Sequence, residues 1–376
     1  MPSGVSLKRR QFITAIGVVW IGGALWARTA WRDKTTKGLG VIFIGGYSEP
    51  SGFNVAQWDE KTGGLVLTGQ VPNVPRASFF AYSKDRRLLY LTNAFEPEGR
   101  LTALDISDPK LPRVLNTVVS RGAAPTHLTV DPSGHYLVSA NYRDAAVVVH
   151  RIEPDGRIGE STELLHQVGT AREAHAHQVV IDPSGKWILV VDLGADAVFV
   201  YALDTASGKL NEHARVTFPT GTGPRHLAFH PSGKHVYILG ELLPVLTVAT
   251  WDAARGALEL GQKIDTVAPG TVGSNAPAEV VVSRDGQFVY ATNRGENSIA
   301  TFAVKGDGSR LEFLGTTPTG GDWPRHITMS HDERWMYVSN QRSNTVTWLP
   351  RDPSTGRLGA SAGFIEVPAV AIVSFC

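Results

Sequence analysis

The sequence predicts an all-β fold, a seven-bladed β-propeller whose blades are four-stranded antiparallel sheets. Three observations carry that expectation. A stretch such as HLTVDPSGHYLVSAN (residues 127–141) recurs along the chain. Gly and Pro, 39 and 22 of 376 residues, favour short strands and turns over long helices. The two ends of the repeat region also complete each other.

The first element from the N-terminus lies outside the repeat. Lys8, Arg9 and Arg10 stand directly before an uncharged apolar run from Phe12 to Ala27, the layout of a bacterial export signal. Arg9-Arg10-Gln11-Phe12-Ile13 has the form of a twin-arginine signal. The run is shorter than the roughly 18 to 20 residues a spanning helix needs, and Gly17, Gly22 and Gly23 weaken it further. Residues 1–36 are therefore expected to be an export signal and linker leading to the periplasm. No clean Ala-x-Ala site stands near Ala27 to Ala30, which leaves a membrane-tethered form open; a signal that does not function would leave the protein cytoplasmic.

Residues 37–376 are expected to form a single propeller domain. Copies at 78–93, 127–141, 177–192, 226–241, 279–293 and 326–340 align on a marker at Ser83, Asp131, Asp182, His230, Ser283 and Ser330, a period of about fifty residues. In each copy an apolar strand meets a Pro-Ser-Gly or equivalent turn and a second apolar strand follows. A polar turn, a third strand, and then a fourth expected to be shorter and more polar complete the blade. GVIFIGGYSE (40–49) has the character of a second strand without a first. EVPAVAIVSF at the C-terminus has that of a first strand without a sequel. Joined, they make a seventh blade and remove the open edges that a linear array would expose.

The formal net charge of +1 excludes a global field that would gather nucleic acid, so partner choice is local. The only cysteine, Cys376, rules out a disulfide framework, a CxxC zinc site and a buried catalytic thiol. No cofactor signature, no HExxH and no GxSxG elbow is present, and HAH at 175–177 lacks a third ligand, so no metal is expected. The expected partner is a small molecule, with membrane contact only through the N-terminal segment.

First and second strands are antiparallel, so residues at the start of one and just after the other share an end of the blade. The innermost strand opens that end on the central channel. Arg76, His127, Arg143, His175, His177, Asp192, Asp196, Arg225, His226, Glu241, Asn275, Glu279, Arg294, Arg325, His326 and Arg342 gather there, with Asn93, Asn141, Asn293 and Asn340. The asparagines read as turn formers. His127, His226 and His326 read either as ligands or as groups satisfying backbone atoms between blades. Arg225, Arg294, Arg325 and Glu241 resist a packing explanation. Arginines suit planar recognition of carboxylate or phosphate, and a Glu or His beside them can move a proton.

THLTVDPSGHYLVSANY, HAHQVVIDPSGKWILVVDLGADAVFVY, GPRHLAFHPSGKHVYILGE and WPRHITMSHDERWMYVSNQ resemble the seven-bladed lactonase family that includes propeller-type 6-phosphogluconolactonases and fungal carboxymuconate-lactonising enzymes. The resemblance runs from about residue 40 to the C-terminus. It implies a site in the channel mouth with catalytic residues at His177, Arg225, Glu241 and Arg294, while His127, His175, His226, Glu279, Arg325 and His326 are expected to bind substrate. Gly240, Pro277 and the Arg143-Asp144 turn depart from the family pattern beside that mouth. The expected activity is hydrolysis of a sugar lactone, 6-phosphogluconolactone-like or an unphosphorylated aldonolactone. A lactonising isomerase and a non-catalytic binding propeller are the alternatives.

Overall fold

The computed structural model describes residues 39–376, and the export-signal expectation falls outside them. Seven four-stranded antiparallel sheets stand in a ring, with no helix among the described residues. Blade 1 opens with the strand Ala77–Tyr82, blade 2 with Pro125–Val130, blade 3 with Ala176–Ile181 and blade 4 with Pro224–Phe229. Blade 5 opens with Ala276–Val282 and blade 6 with Pro324–Met329. Blade 7 takes its innermost strand, Val370–Phe375, from the C-terminus, and Leu39–Gly46, Phe53–Asp59 and Leu65–Gln70 from the start of the described chain. The expected closure by both termini is thus observed, with Ile42 paired to Phe375.

The marker residue shapes the turn between first and second strands. Asp131 accepts from the Ser133 hydroxyl and from the Tyr136 backbone N–H (2.7 Å), and Ser83, Ser283 and Ser330 accept the equivalent N–H in their blades. Three residues on, the chain enters the left-handed region, with φ between 71° and 78° at Gly134, Gly185, Gly233 and Gly286. Glycine has no Cβ to clash there, whereas Arg86 and Glu333 hold the same position in blades 1 and 6.

Apolar side chains cluster between neighbouring blades, so the core is a ring of interblade contacts. Tyr136, Val147 and Val149 of blade 2 meet Val179, Val190 and Phe199 of blade 3, and the pattern repeats around the circle. The fourth strands correct one expectation, because in blades 2 to 5 they run to nine residues. They lie on the outer rim, where the wedge is widest and no neighbour crowds their ends, and only alternate side chains need be apolar.

A second repeat device escaped the sequence reading. The hydroxyls of Tyr90, Tyr136, Tyr237, Tyr290 and Tyr337 each donate to a backbone carbonyl in the next blade, at Gly156, Thr205, Gly308, Gly356 and Gly63, over 2.8–3.0 Å. In blade 3 the Trp187 indole N–H does the same to Ala253 O (2.8 Å). The latches of Tyr90, Tyr237, Tyr290 and Tyr337 are buried hydrogen bonds whose loss strands an acceptor. Tyr337→Phe is expected to lower stability by about 1–2 kcal/mol, read as a shift in the urea midpoint with unchanged slope.

Candidate active site

Every first strand carries a β-bulge near the channel mouth. Pairing with the second strand skips Ser78, Thr126, His177, Arg225, Arg325 and Ala371, while in blade 5 Ala278 and Glu279 fall within the irregularity. A bulge leaves one residue unpaired and breaks the in-out alternation of a strand. Consecutive residues such as Arg225 and His226 are therefore both buried around the channel rather than on opposite faces.

The residue after the bulge in blades 1, 2, 4 and 6, together with Glu279 from the bulge of blade 5, builds a plug. Phe79 and His127 stack with ring centroids 3.8 Å apart, His226 lies 5.6 Å from His127, and Phe79 meets the edges of both His226 and His326 at 6.2 Å. Glu279 accepts from His226 Nδ1 at 2.8 Å and faces His326 Nε2 at 3.7 Å. Burial pushes the imidazoles of His127 and His226 well below their ordinary range, with the neighbouring His226 adding to it at His127 and Arg225 at His226. Burial also brings His326 to about 4 although Glu279 opposes it, and raises the Glu279 carboxyl against the pull of His326 and Arg225.

These shifts set a pH dependence. The unfolded chain protonates its histidines near pH 6.5 and the folded plug does not, so stability present above that pH is lost as pH falls towards about 4. Glu279 works in the opposite sense, since its raised carboxyl costs stability as pH climbs above 4.5. His127→Phe, which copies Phe79 at the same phase of blade 1, is expected to flatten the decline in melting temperature between pH 6.5 and 5.

Above the plug is a cavity of ≈ 240 Å³ lined by Tyr47, Arg76, Glu96, Thr126, Tyr142, His177, Glu241, Arg294 and Arg325, with Ala94 and Ala124. Its centre is an ion cluster. Glu241 Oε2 sits 2.9 Å from Arg225 Nε and 2.8 Å from Arg294 Nη2. The Arg225 contact is close without an aligned N–H, and that guanidinium is anchored instead through Nη1 to Ala278 O. Arg294 donates from Nε to Ala276 O (2.7 Å) and from Nη2 to Pro277 O (3.2 Å). Desolvation pushes the Glu241 carboxyl up, but Arg294 and Arg225 together hold it below its ordinary value, so it stays ionised. Burial, with Arg225 next, drives His177 well below its usual range and leaves it neutral near pH 7.

Of the expected catalytic residues, His177, Glu241 and Arg294 line the cavity, and Arg225 lies behind Glu241, 2% exposed. Of the expected substrate-binding residues, Arg325 alone lines the cavity. His127, His226, Glu279 and His326 form the plug beneath. His175 stands beside the cavity, stacked on Tyr142 at 4.6 Å with Nδ1 against Tyr142 O. The two imidazoles of HAH thus meet Tyr142 differently, His175 stacked on its ring and His177, in the bulge, edge-on at 5.8 Å.

The asparagines also differ from their reading as turn formers. Asn93, Asn141, Asn293 and Asn340 close the second strands, fully buried, and tie them to neighbouring segments, as in Asn93 to Thr102 Oγ1 (2.7 Å) and Asn340 to Thr347 Oγ1 (3.0 Å). Asp192 and Asp196 serve backbone N–H groups, and Arg143 pairs with Glu96 at 3.0 Å. Tyr47 and Tyr142 were missed. Each follows a second strand directly, at the phase of Glu241 and Arg294, so aligning strand ends across blades would have found them.

Comparison with known proteins agrees with this architecture. The family profile "Lactonase, 7-bladed beta-propeller" matches residues 41–375. The chain is 27% identical over 305 residues to a 6-phosphogluconolactonase of Bacillus subtilis, covering 79% of this chain and 86% of that one. A 6-phosphogluconolactonase of Pectobacterium carotovorum is 30% identical over 283 residues, covering 74% and 81%. A solved periplasmic gluconolactonase of Pseudomonas aeruginosa superposes with a TM-score of 0.85 at 28% identity, covering 90% of this chain and 99% of that one. With seven closed blades, an arginine-rich cavity at one channel mouth and a profile match along the described chain, this protein belongs to the seven-bladed β-propeller lactonase family.

Proposed function

We propose that this lactonase opens a sugar lactone, 6-phosphogluconolactone-like or an unphosphorylated aldonolactone, by direct water attack in the cavity above the plug. The observation that carries the reading is His177, a neutral imidazole with no hydrogen-bond partner among the described residues, set in a cavity whose charged neighbours are mainly guanidiniums. Two guanidiniums crowd Glu241 Oε2 and hold its carboxyl down, which suits Glu241 to orienting arginines more than to accepting a proton.

In this reading Arg294 faces the lactone carbonyl and stabilises the oxyanion that forms there. A water oxygen bonds to the carbonyl carbon as His177 takes one of its protons. Collapse of the tetrahedral species breaks the ring C–O bond, and the departing oxygen takes the proton back from His177. The product is the open hydroxy acid, whose carboxyl releases one proton to solvent. The Arg9-Arg10 segment and the likeness to a periplasmic gluconolactonase support an exported protein with residues 1–36 as signal and linker, which favours unphosphorylated lactones.

Proton release on opening is the direct test. A pH-stat panel of 6-phosphogluconolactone, gluconolactone, galactonolactone and a muconolactone, corrected for spontaneous opening, is expected to show acceleration of a sugar lactone that His177→Ala abolishes. Acceleration that survives His177→Ala overturns the proton-transfer assignment. Activity on none of the lactones, or only lactonisation of an unsaturated dicarboxylate, overturns the hydrolytic reading.

A further inference from the structure

The arginines at the cavity differ in how their charge is met. Arg76 contacts Glu49 at 3.2 Å, and Arg225 and Arg294 share Glu241. Arg325 lines the same cavity and has no carboxylate within ion-pair distance and no side-chain hydrogen bond among the described residues. Its guanidinium lies 5.4 Å from the centroid of the Tyr47 ring. At the cavity floor three guanidiniums, Arg225, Arg294 and Arg325, thus meet one ionised carboxylate, Glu241. The cavity's other carboxylate, Glu96, is engaged by Arg143.

A half-buried cation without a partner forgoes part of its hydration and gains no ion pair in return. The backbone nevertheless commits to placing it there. Arg325 occupies the bulge of blade 6, the position that aims His177 in blade 3 and Arg225 in blade 4. The planar fork of a guanidinium accepts two oxygens of one anionic group, which water or a sugar hydroxyl meets poorly.

We propose that Arg325, against the Tyr47 ring, is a subsite for an anionic substituent of the substrate, a carboxylate or a phosphate, distinct from the lactone carbonyl. The proposal rests on the lactone-opening reading for its substrate class. The arginines then differ in role, with Arg225 and Arg294 committed to Glu241 and the reacting carbonyl while Arg325 selects what else the substrate carries.

The test is a discrimination ratio. For wild type, Arg325→Gln and Arg325→Lys, kcat/KM is measured on a carboxylate-bearing lactone (glucarolactone), on 6-phosphogluconolactone and on neutral gluconolactone. The ratio of charged to neutral lactone is expected to fall about 10- to 100-fold in Arg325→Gln, the range for one charge-assisted hydrogen-bonded pair, and less in Arg325→Lys. Whichever charged lactone carries the larger drop identifies the group. An unchanged ratio for both charged lactones overturns the proposal, as does an equal loss on all three.

A binding arm does not depend on turnover. Thermal shifts with glucarate and with inorganic phosphate are expected to stabilise wild type and to vanish in Arg325→Gln. If no lactone is opened but these shifts behave so, hydrolysis fails and the anion subsite stands. If lactones are opened but neither the ratio nor the shifts respond to Arg325, the subsite fails and hydrolysis stands.

Discussion

Glu241→Gln is expected to lower kcat by on the order of 100-fold and to destabilise the fold by about 3 kcal/mol. The carboxylate is the one anion between two guanidiniums, at 2.9 and 2.8 Å, and neither has another carboxylate within ion-pair distance among the described residues. An amide keeps the shape and removes the charge, so Arg225 and Arg294 then repel each other across a site largely shut off from water. Both guanidiniums are held by backbone carbonyls, Arg225 by Ala278 O and Arg294 by Ala276 O and Pro277 O, so the repulsion is relieved only by straining those anchors. The rate loss is expected in kcat with a smaller change in KM, read by steady-state kinetics, while urea unfolding reads the stability loss. A variant as fast as wild type would mean that the cluster is structural and the chemistry lies elsewhere.

Ending the chain at Ala369 is expected to abolish the folded state. The missing strand is the innermost of blade 7, and Val370, Ile372, Val373 and Phe375 are each 6% exposed or less. Phe375 also packs on Trp58 of its own blade and Tyr337 of blade 6, with ring centroids 5.1 and 5.3 Å apart. Four such side chains are worth about 1.5–3 kcal/mol each, which together reaches the whole stability of a typical domain. The measurement is far-UV and near-UV circular dichroism with size-exclusion chromatography of the truncated chain. A cooperative melt in that chain would show that the ring closes without the innermost strand of blade 7.

The circular plan was legible because repetition needs no long-range inference: a marker turn every fifty residues, with a first strand at one end and a second at the other, permits few other closures. The identity of the mouth was legible for the same reason, since strand ends share a side. The depth of each residue was not. His177 lies five residues before its marker Asp182, whereas His127, His226 and His326 lie four before theirs, and that single step separates the cavity wall from the plug. Strict alternation cannot express it, because the bulge that makes both positions face the channel is a backbone irregularity with no residue signature of its own. The latch tyrosines were hidden differently: Tyr90, Tyr237, Tyr290 and Tyr337 sit seven residues after the marker and Tyr136 five, and in sequence they look like ordinary β-strand aromatics.

Closure of blade 7 has one more consequence. Tyr47, which follows the strand Leu39–Gly46, lines the cavity, so Leu39 at the other end of that strand emerges on the opposite face of the ring; Phe375, paired with Ile42, ends towards the same side. A fusion partner, affinity handle or solid support joined after Cys376 therefore begins behind the disc. Immobilised through its C-terminus, the protein would present its cavity outward to passing solute, as a cup fixed by its base.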